Sequence, residues 1–279
     1  MASLVELSTS LPLIGALCLA GAMAGITAGL FGNGGGFVIV PAMVTLLEKY
    51  AQASGDIIYT AIGTSLACIS VTTARAIYAH HLKGAVDFEL ILSWALWVFM
   101  GVMVGISLVS FVDATALFFL FSAGVFLYSI YFLFPDTFTF DRTAPAMPSG
   151  GARAALASGL GAFSSILGIG GGTITVITMV TCGRPIHQAV ATASGIGLVI
   201  GLSGALGFLV LGIGKEQVLS GSVGYVNVPA LIVISSLSIL TAPVGAGWAH
   251  KLDARALKRV FGVYLVFAAS SMLYKGLSM

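Results

Sequence analysis

Charge is what this sequence has least of. Of 279 residues, 12 are Lys or Arg and 10 are Asp or Glu, 8% in all, against roughly 25% in an ordinary soluble domain. With 58% hydrophobic residues and a mean hydropathy of +1.07, that deficit excludes a water-soluble enzyme, a nucleic-acid binder and a disordered chain. The net charge of +2 is too small to call for a polyanionic partner. Cysteine is scarce as well. Cys18, Cys68 and Cys182 lie far apart in apolar sequence with no paired spacing, which reads as three small buried thiols and as neither a redox nor a metal site. No cofactor is expected. Segments of about ten residues with period-2 alternation, the mark of a membrane β-barrel, are also missing. The start has no basic n-region, and its one early charge is Glu6, so no cleaved signal is expected.

What is present is long uncharged sequence. Leu7–Leu47, Ile57–Ala74, Leu90–Val112, Ala114–Pro135, Ala154–Gly183, Pro185–Gly214, Gln217–His250 and Val260–Tyr274 contain no Asp, Glu, Lys or Arg. A helix needs about 20 apolar residues to cross the hydrocarbon core, so the chain reads as an all-α polytopic membrane protein with the lipid bilayer as its solvent.

The chain also repeats. Gly25–Thr45 (GITAGLFGNGGGFVIVPAMVT) and Gly161–Thr181 (GAFSSILGIGGGTITVITMVT) are identical at nine of 21 positions, at an offset of 136 residues. Val104–Phe121 and Val244–Phe261 agree at seven of 18, at an offset of 140, with Asp113 matching Asp253. Between these blocks AIGTS (Ala61–Ser65) resembles AVATA (Ala189–Ala193) and pairs Thr64 with Thr192. Three blocks in one order define two repeats. Repeat 1 covers 1–134, with a glycine-broken helical hairpin at 11–47 and spanning helices at 57–79, 90–111 and 115–134. Repeat 2 covers 152–279, with a hairpin at 154–181 and helices at 187–212, 226–249 and 256–275. The Pro- and Gly-containing stretch 135–151 is a cytoplasmic linker.

Loop charges set the relative orientation of the repeats. The connector at Asp113 has no cation, whereas the one at Asp253 carries Lys251, Arg255, Lys258 and Arg259. Conversely, Arg75 and Lys83 flank a connector whose counterpart holds Lys215 beside Glu216. Equivalent loops with opposite bias imply inverted topology. One face then holds Arg75, Lys83, Arg142, Arg153, Arg184, Lys251, Arg255, Lys258 and Arg259, and the other holds Lys49, Lys215 and Lys275. The positive-inside rule makes the first face cytoplasmic and puts both termini outside.

Inverted repeats, each with a broken helix, are a way to build a secondary transporter. Irregular backbone survives at membrane depth only where it lines a polar cavity or packs on protein. A glycine run opening a short helix frees N–H groups at its positive end and lets a ligand approach the backbone. Two such ends at the midplane would cradle an anion without any formal charge. The candidate substrate-binding residues are Gly32, Asn33, Gly34, Gly35 and Gly36 with Thr64 and Ser65 in repeat 1. In repeat 2 they are Gly168, Gly170, Gly171, Gly172 and Thr173 with Thr192 and Ser194. Ser164 and Ser165 precede the second run. Arg75, the cation set deepest in an expected helix, is the candidate gating or charge partner. No carboxylate falls at mid-depth, and the chain has no HExxH or Gly-x-Ser-x-Gly motif, so an enzyme is not expected.

GLFGNGGGFVIVPAM at Gly29–Met43 followed by AIGTSL at Ala61–Leu66, echoed by ILGIGGGTITV and AVATA, resembles the TauE/SafE family over nearly the whole chain. The resemblance implies a multi-pass protein of the bacterial inner membrane that moves small sulfur oxyanions and sulfonates such as sulfite and sulfoacetate, mostly outward. It implies roles for Gly32, Gly34, Gly35, Gly36, Gly168, Gly170, Gly171, Gly172, Thr64 and Thr192. Pro41 after the first run is replaced by Ile177 after the second, so the first half-helix reads as kinked and the second as continuous. The expected partner is a small anion, carried by alternating access. A passive anion channel and an uptake permease for another small organic anion are the alternatives. A coupling proton or other ion and an oligomeric assembly are left open. Reporter fusions at residues 113 and 253 should report opposite faces of the membrane; the same face for both would overturn the inversion.

Overall fold

The computed structural model describes residues 11–51, 56–134, 145–215, 221–248 and 254–278. Glu6, used above for the N-terminal reading, and Arg142, Glu216, Lys251 and Asp253, used for loop charge, lie outside the described residues, as does most of the linker. The described residues form ten helices and one short hairpin: α1 (Leu11–Phe31), α2 (Gly36–Ala51), α3 (Ile57–His81), α4 (Phe88–Val109), α5 (Ala114–Leu133), α6 (Gly150–Leu167), α7 (Gly172–Thr181), α8 (Ile186–Leu211), β1 (Ser222–Val223), β2 (Val226–Asn227), α9 (Val228–Trp248) and α10 (Ala254–Ser278). Among them, seven helices are long and apolar enough to cross a membrane: Pro12–Phe31, Ile57–His81, Phe88–Val109, Ala114–Leu133, Ile186–Leu211, Val228–Trp248 and Lys258–Ser278. The chain is an all-α polytopic membrane protein.

Boundaries differ from the expected ones where helices outgrow the apolar window. α3 has 25 residues, about 37 Å at 1.5 Å per residue, and exceeds the roughly 30 Å hydrocarbon core. Its polar end from Arg75 to His81 therefore stays helical. α6 opens at Gly150, inside the stretch assigned to the linker. α2 continues through Pro41 as one helix, with Thr45 Oγ1 donating to the Pro41 carbonyl at 2.9 Å. Side chains set several starts. Asp87 accepts from Leu90 N (3.0 Å), Asp113 from Ala116 N (2.7 Å) and Asn227 from Ala230 N (2.9 Å), each satisfying a first-turn donor.

Small residues let helix backbones touch, the usual basis of association in lipid. α1 lies parallel to α9. A Cβ built on Gly25 would sit 2.5 Å from Ser238 O, and one on Gly245 2.2 Å from Ile26 O. α6 lies parallel to α4 through matching contacts, Gly161 to Val98 O (2.2 Å) and Gly105 to Ala162 O (2.6 Å). These two interfaces correspond residue for residue at the offsets of 136 and 140. α3 and α8 run antiparallel, with Gly63 against Phe208, Gly204 against Leu66 and Gly197 against Thr73. α5 and α10 also run antiparallel, with Phe132 edge-on to Phe261 at 5.0 Å and Gly276 against Phe118. At the far end of α10, Lys275 pairs with Glu48 of α2. α3 is the central element: 83% of its apolar window is buried, against 39–50% for the other spans.

The β-hairpin pairs Ser222 with Asn227 and Val223 with Val226 and folds over the start of α3. It lies in a 16-residue connector, whereas the connector between α3 and α4 has six residues. No strand was expected from the sequence.

Because Gly25 and Gly161 sit against carbonyl oxygens, Gly25→Leu and Gly161→Leu should each destabilise by about 1–3 kcal/mol through overpacking. Gly15→Leu and Gly159→Leu, where a Cβ meets nothing within 4 Å, should leave thermal unfolding of the purified protein unchanged.

Candidate functional site

Both helical breaks occur at the glycine runs. The first lies between Phe31 and Gly36, the second between Leu167 and Gly172. Gly35 and Gly171, each just before its half-helix, hold φ of +83° and +63°, a conformation cheap only for glycine. Gly32, Gly34 and Gly168 also have positive φ. Cβ atoms built on Gly34, Gly36 and Gly170 would all meet Ile69, the central residue of α3, so both breaks lie beside the middle of that helix. They meet each other there. A Cβ on Gly36 would sit 2.4 Å from Gly168 O, one on Gly172 only 1.9 Å from Gly32 O, and one on Gly170 2.9 Å from Asn33 O. The first-turn N–H groups of α2 and α7 have no acceptor within their own helices, so two positive helix ends converge on one place.

Several candidate side chains gather at the breaks. Asn33 is buried; its Oδ1 accepts from Gly35 N at 3.1 Å while its Nδ2 has no partner. Thr173 Oγ1, in the first turn of α7, and Ser164 Oγ are buried and equally unpartnered. Ser164 Oγ lies 2.8 Å from where a Cβ on Gly171 would be. Ser65 Oγ donates to Gly168 O at 2.8 Å. A buried polar atom without a partner is costly, and three of them beside two helix N-termini mark a place built to meet something polar.

Other candidates are engaged elsewhere. Thr64 Oγ1 accepts from Asn227 N at 2.9 Å, and Thr192 Oγ1 from Asp87 N at 3.1 Å. Asp87 and Asn227 in turn cap α4 and α9. The two threonines thus fasten the connectors that start these helices, a role their neighbours in sequence did not suggest. Ser194 bonds within its own helix, to Val190 O at 3.1 Å; Ser165 likewise bonds Ala162 O. Arg75 is half-buried with its guanidinium 6.0 Å from the centre of the Tyr78 ring, and does not reach the cavity described next.

A cavity of about 350 Å³ runs from one end of the bundle to the second break, within the roughly 300–1,000 Å³ range of small-molecule sites. Gly29, Leu30 and Phe31 form one wall, Thr173 and Val176 the floor, and His80, Lys83, Tyr131, His187 and Lys258 line the remainder. Lys258 Nζ stands 5.3 Å over the Tyr131 ring. Sequence reading assigned Lys83 and Lys258 to loop charge alone. The signal that they share a cavity, their place at the ends of helices flanking the breaks, becomes visible only once those helices are packed.

At the opposite end the described residues pack around Tyr225. Tyr225 of the hairpin donates to Asp56 Oδ2 at 2.7 Å and stacks on Tyr59 at 5.2 Å, and Tyr59 OH donates to the Val112 carbonyl. Burial, and after it the bond to Asp56, pushes the Tyr225 phenol above its ordinary range, so it stays a donor at neutral pH.

Comparison with known proteins agrees with this architecture. A family model described as Sulfite exporter TauE/SafE matches residues 17–272. A probable membrane transporter protein of Haemophilus influenzae is 31% identical over 263 residues, covering 93% of this chain and 98% of the relative. Probable membrane transporter proteins of Bacillus subtilis and Methanocaldococcus jannaschii are 26% and 23% identical, over 89% and 87% of this chain and 95% and 88% of their own length. No solved structure gives a significant match.

The two kinds of polar side chain should behave oppositely on removal. Thr64→Val and Thr192→Val should each cost about 1 kcal/mol, the worth of a cap-like bond, and leave substrate affinity near wild type. Thr173→Val deletes an unpartnered hydroxyl, so thermal stability should hold or rise while affinity falls. Melting curves beside substrate-binding isotherms separate the two.

Proposed function

This chain belongs to the TauE/SafE sulfite exporter family and is a multi-pass membrane transporter, not an enzyme; from that premise we propose that it carries a small sulfur-containing anion, sulfite, sulfoacetate or a related organosulfonate, across the bacterial inner membrane, outward. The anion sits where the two half-helix N-termini converge, held by backbone N–H groups of the glycine runs and by Asn33, Ser164 and Thr173, while Ser65 shapes the place through its bond to Gly168 O. Thr64, Thr192 and Ser194 shape the helices around that place rather than touch the anion. The observation that carries the reading is the meeting of the two breaks at the level of Ile69, beside unpartnered Asn33 Nδ2, Ser164 Oγ and Thr173 Oγ1. A desolvated helix end attracts an anion without needing a formal charge.

Transport by alternating access fits a site to which a cavity leads from one end. The cavity leads from the Lys83–Lys258 end to Thr173, while among the described residues the Tyr59–Tyr225–Asp56 cluster packs together at the other. Two repeats of opposite orientation supply the second state: exchanging their conformations would close the first end and open the second. Equivalent helices α3 and α8, and α5 and α10, run antiparallel, which supports the inversion.

Proteoliposomes offered labelled sulfite, sulfoacetate, taurine and sulfate, each with and without a pH gradient, test the substrate and the coupling. Saturable flux that responds to a counter-gradient of the same anion is expected; flux that neither saturates nor exchanges would identify a channel. Gly35→Leu and Gly171→Leu, which force a side chain onto a positive φ, should abolish flux while leaving membrane insertion intact. Unchanged flux would defeat the glycine-break site.

A further inference from the structure

Pro41 removes one bond from the first half-helix. In α2 the N–H of residue 41 would donate to the Phe37 carbonyl four residues back, and proline has no N–H to give. α2 nevertheless continues through Pro41. The freed carbonyl lies in the first turn after the break, inside a bundle where a backbone acceptor without a donor is costly. Tyr264 of α10 supplies one: its hydroxyl donates to Phe37 O at 3.4 Å. Phe37 is also held by its ring. It is 1% exposed and edge-on to Tyr128 at 4.9 Å and to Phe261 at 6.2 Å, and Phe261 stacks on Tyr264 at 5.9 Å.

The second repeat lacks both halves of this arrangement. At the offset of 136, Pro41 corresponds to Ile177 and Phe37 to Thr173; at the offset of 140, Tyr264 corresponds to Gly124. Ile177 has an N–H, so the Thr173 carbonyl has a helical donor available, and Gly124 has no side chain that could offer another. A phenol thus stands where a proline has freed a carbonyl, and glycine takes its place where the proline is replaced.

The bond bears on the candidate anion site because of where Phe37 stands. Val38 and Ile39 N–H donate to Gly35 O at 3.0 and 3.2 Å. The N–H groups of Gly36 and Phe37, which precede them, have no acceptor among the described residues and lead the positive end of α2. Fixing the Phe37 carbonyl fixes the peptide planes of that first turn, and with them the direction of those two N–H groups. Direction matters, since a hydrogen bond weakens steeply as its angle closes. We propose that Tyr264 is a positioning residue for the anion site: through the carbonyl that Pro41 frees, it sets the aim of the first half-helix N-terminus. It does not touch the anion itself. This rests on the reading that the anion is held at the glycine breaks.

A double-mutant cycle in the full-length protein tests the coupling of the two positions. Y264F removes the hydroxyl and keeps the ring, and P41A returns the helical donor to Phe37 O. KM is measured in proteoliposomes with the best transported of labelled sulfite, sulfoacetate, taurine and sulfate. With Pro41 in place, Y264F should raise KM about five-fold, the worth of one net hydrogen bond, and leave kcat unchanged. In the P41A background Y264F should leave KM where P41A alone puts it. A rise of equal size in both backgrounds, or no rise in either, would overturn the proposal. Melting curves of the same four proteins give a readout independent of transport. Y264F should lower the midpoint with Pro41 in place and not in P41A; equal shifts in both backgrounds would also overturn the proposal. Coupled midpoints without flux of any of the four anions would leave the Tyr264–Phe37 bond standing and defeat the transport reading instead.

Discussion

The structure turns on a place where two stretches of non-helical backbone touch inside a membrane bundle. A free N–H or carbonyl facing lipid costs several kcal/mol, so neither break could exist alone against acyl chains. Each is covered by the other: the Gly36–Gly168 and Gly172–Gly32 approaches leave no room for a Cβ. Side chains at these positions would hold the breaks apart and separate the two helix ends. Glycine is thus required twice, for the turn at Gly35 and Gly171 and for the approach at Gly36 and Gly172.

Everything around that meeting holds it at depth. α3 supplies Ile69 as the common wall, and α8 supplies Gly197 so that the two long helices close on the breaks from both sides. The α1–α9 and α4–α6 interfaces anchor the first arm of each hairpin through glycine-to-carbonyl contacts that neither apolar burial nor salt could replace in lipid. Thr64 and Thr192 fix where α9 and α4 begin, and so where those interfaces start. The breaks and the scaffold use the same small residues for different ends.

Symmetry at the centre gives way to asymmetry at the ends. Near the breaks the two halves exchange contacts residue for residue. Toward the ends, one connector is six residues long and the other 16. The longer one folds into the hairpin that puts Tyr225 on Tyr59, while the shorter leaves the cavity lined by Lys83. Two halves that exchange matching contacts at the breaks thus present different surfaces at their two ends.

Much of this was legible before folding. Uncharged runs fix the membrane as solvent and the helix as the only open choice of backbone, because lipid offers no hydrogen bonds. The matched glycine runs at Gly32–Gly36 and Gly168–Gly172 mark both breaks, since three glycines in a row are a poor helix and a ready turn. The sequence by itself could not say that Thr64 and Thr192 point to connectors, because a hydroxyl in a membrane helix has acceptors and donors on every side and only packing selects one. Nor could it say that Lys83 and Lys258 share a cavity, since they are 175 positions apart and meet through α8 and α5. The local chemistry of single segments determined where the chain breaks and what surrounds it. Tertiary structure alone decided which polar groups are satisfied and which stay without a partner, because hydrogen-bond satisfaction depends on neighbours that only the folded bundle brings together.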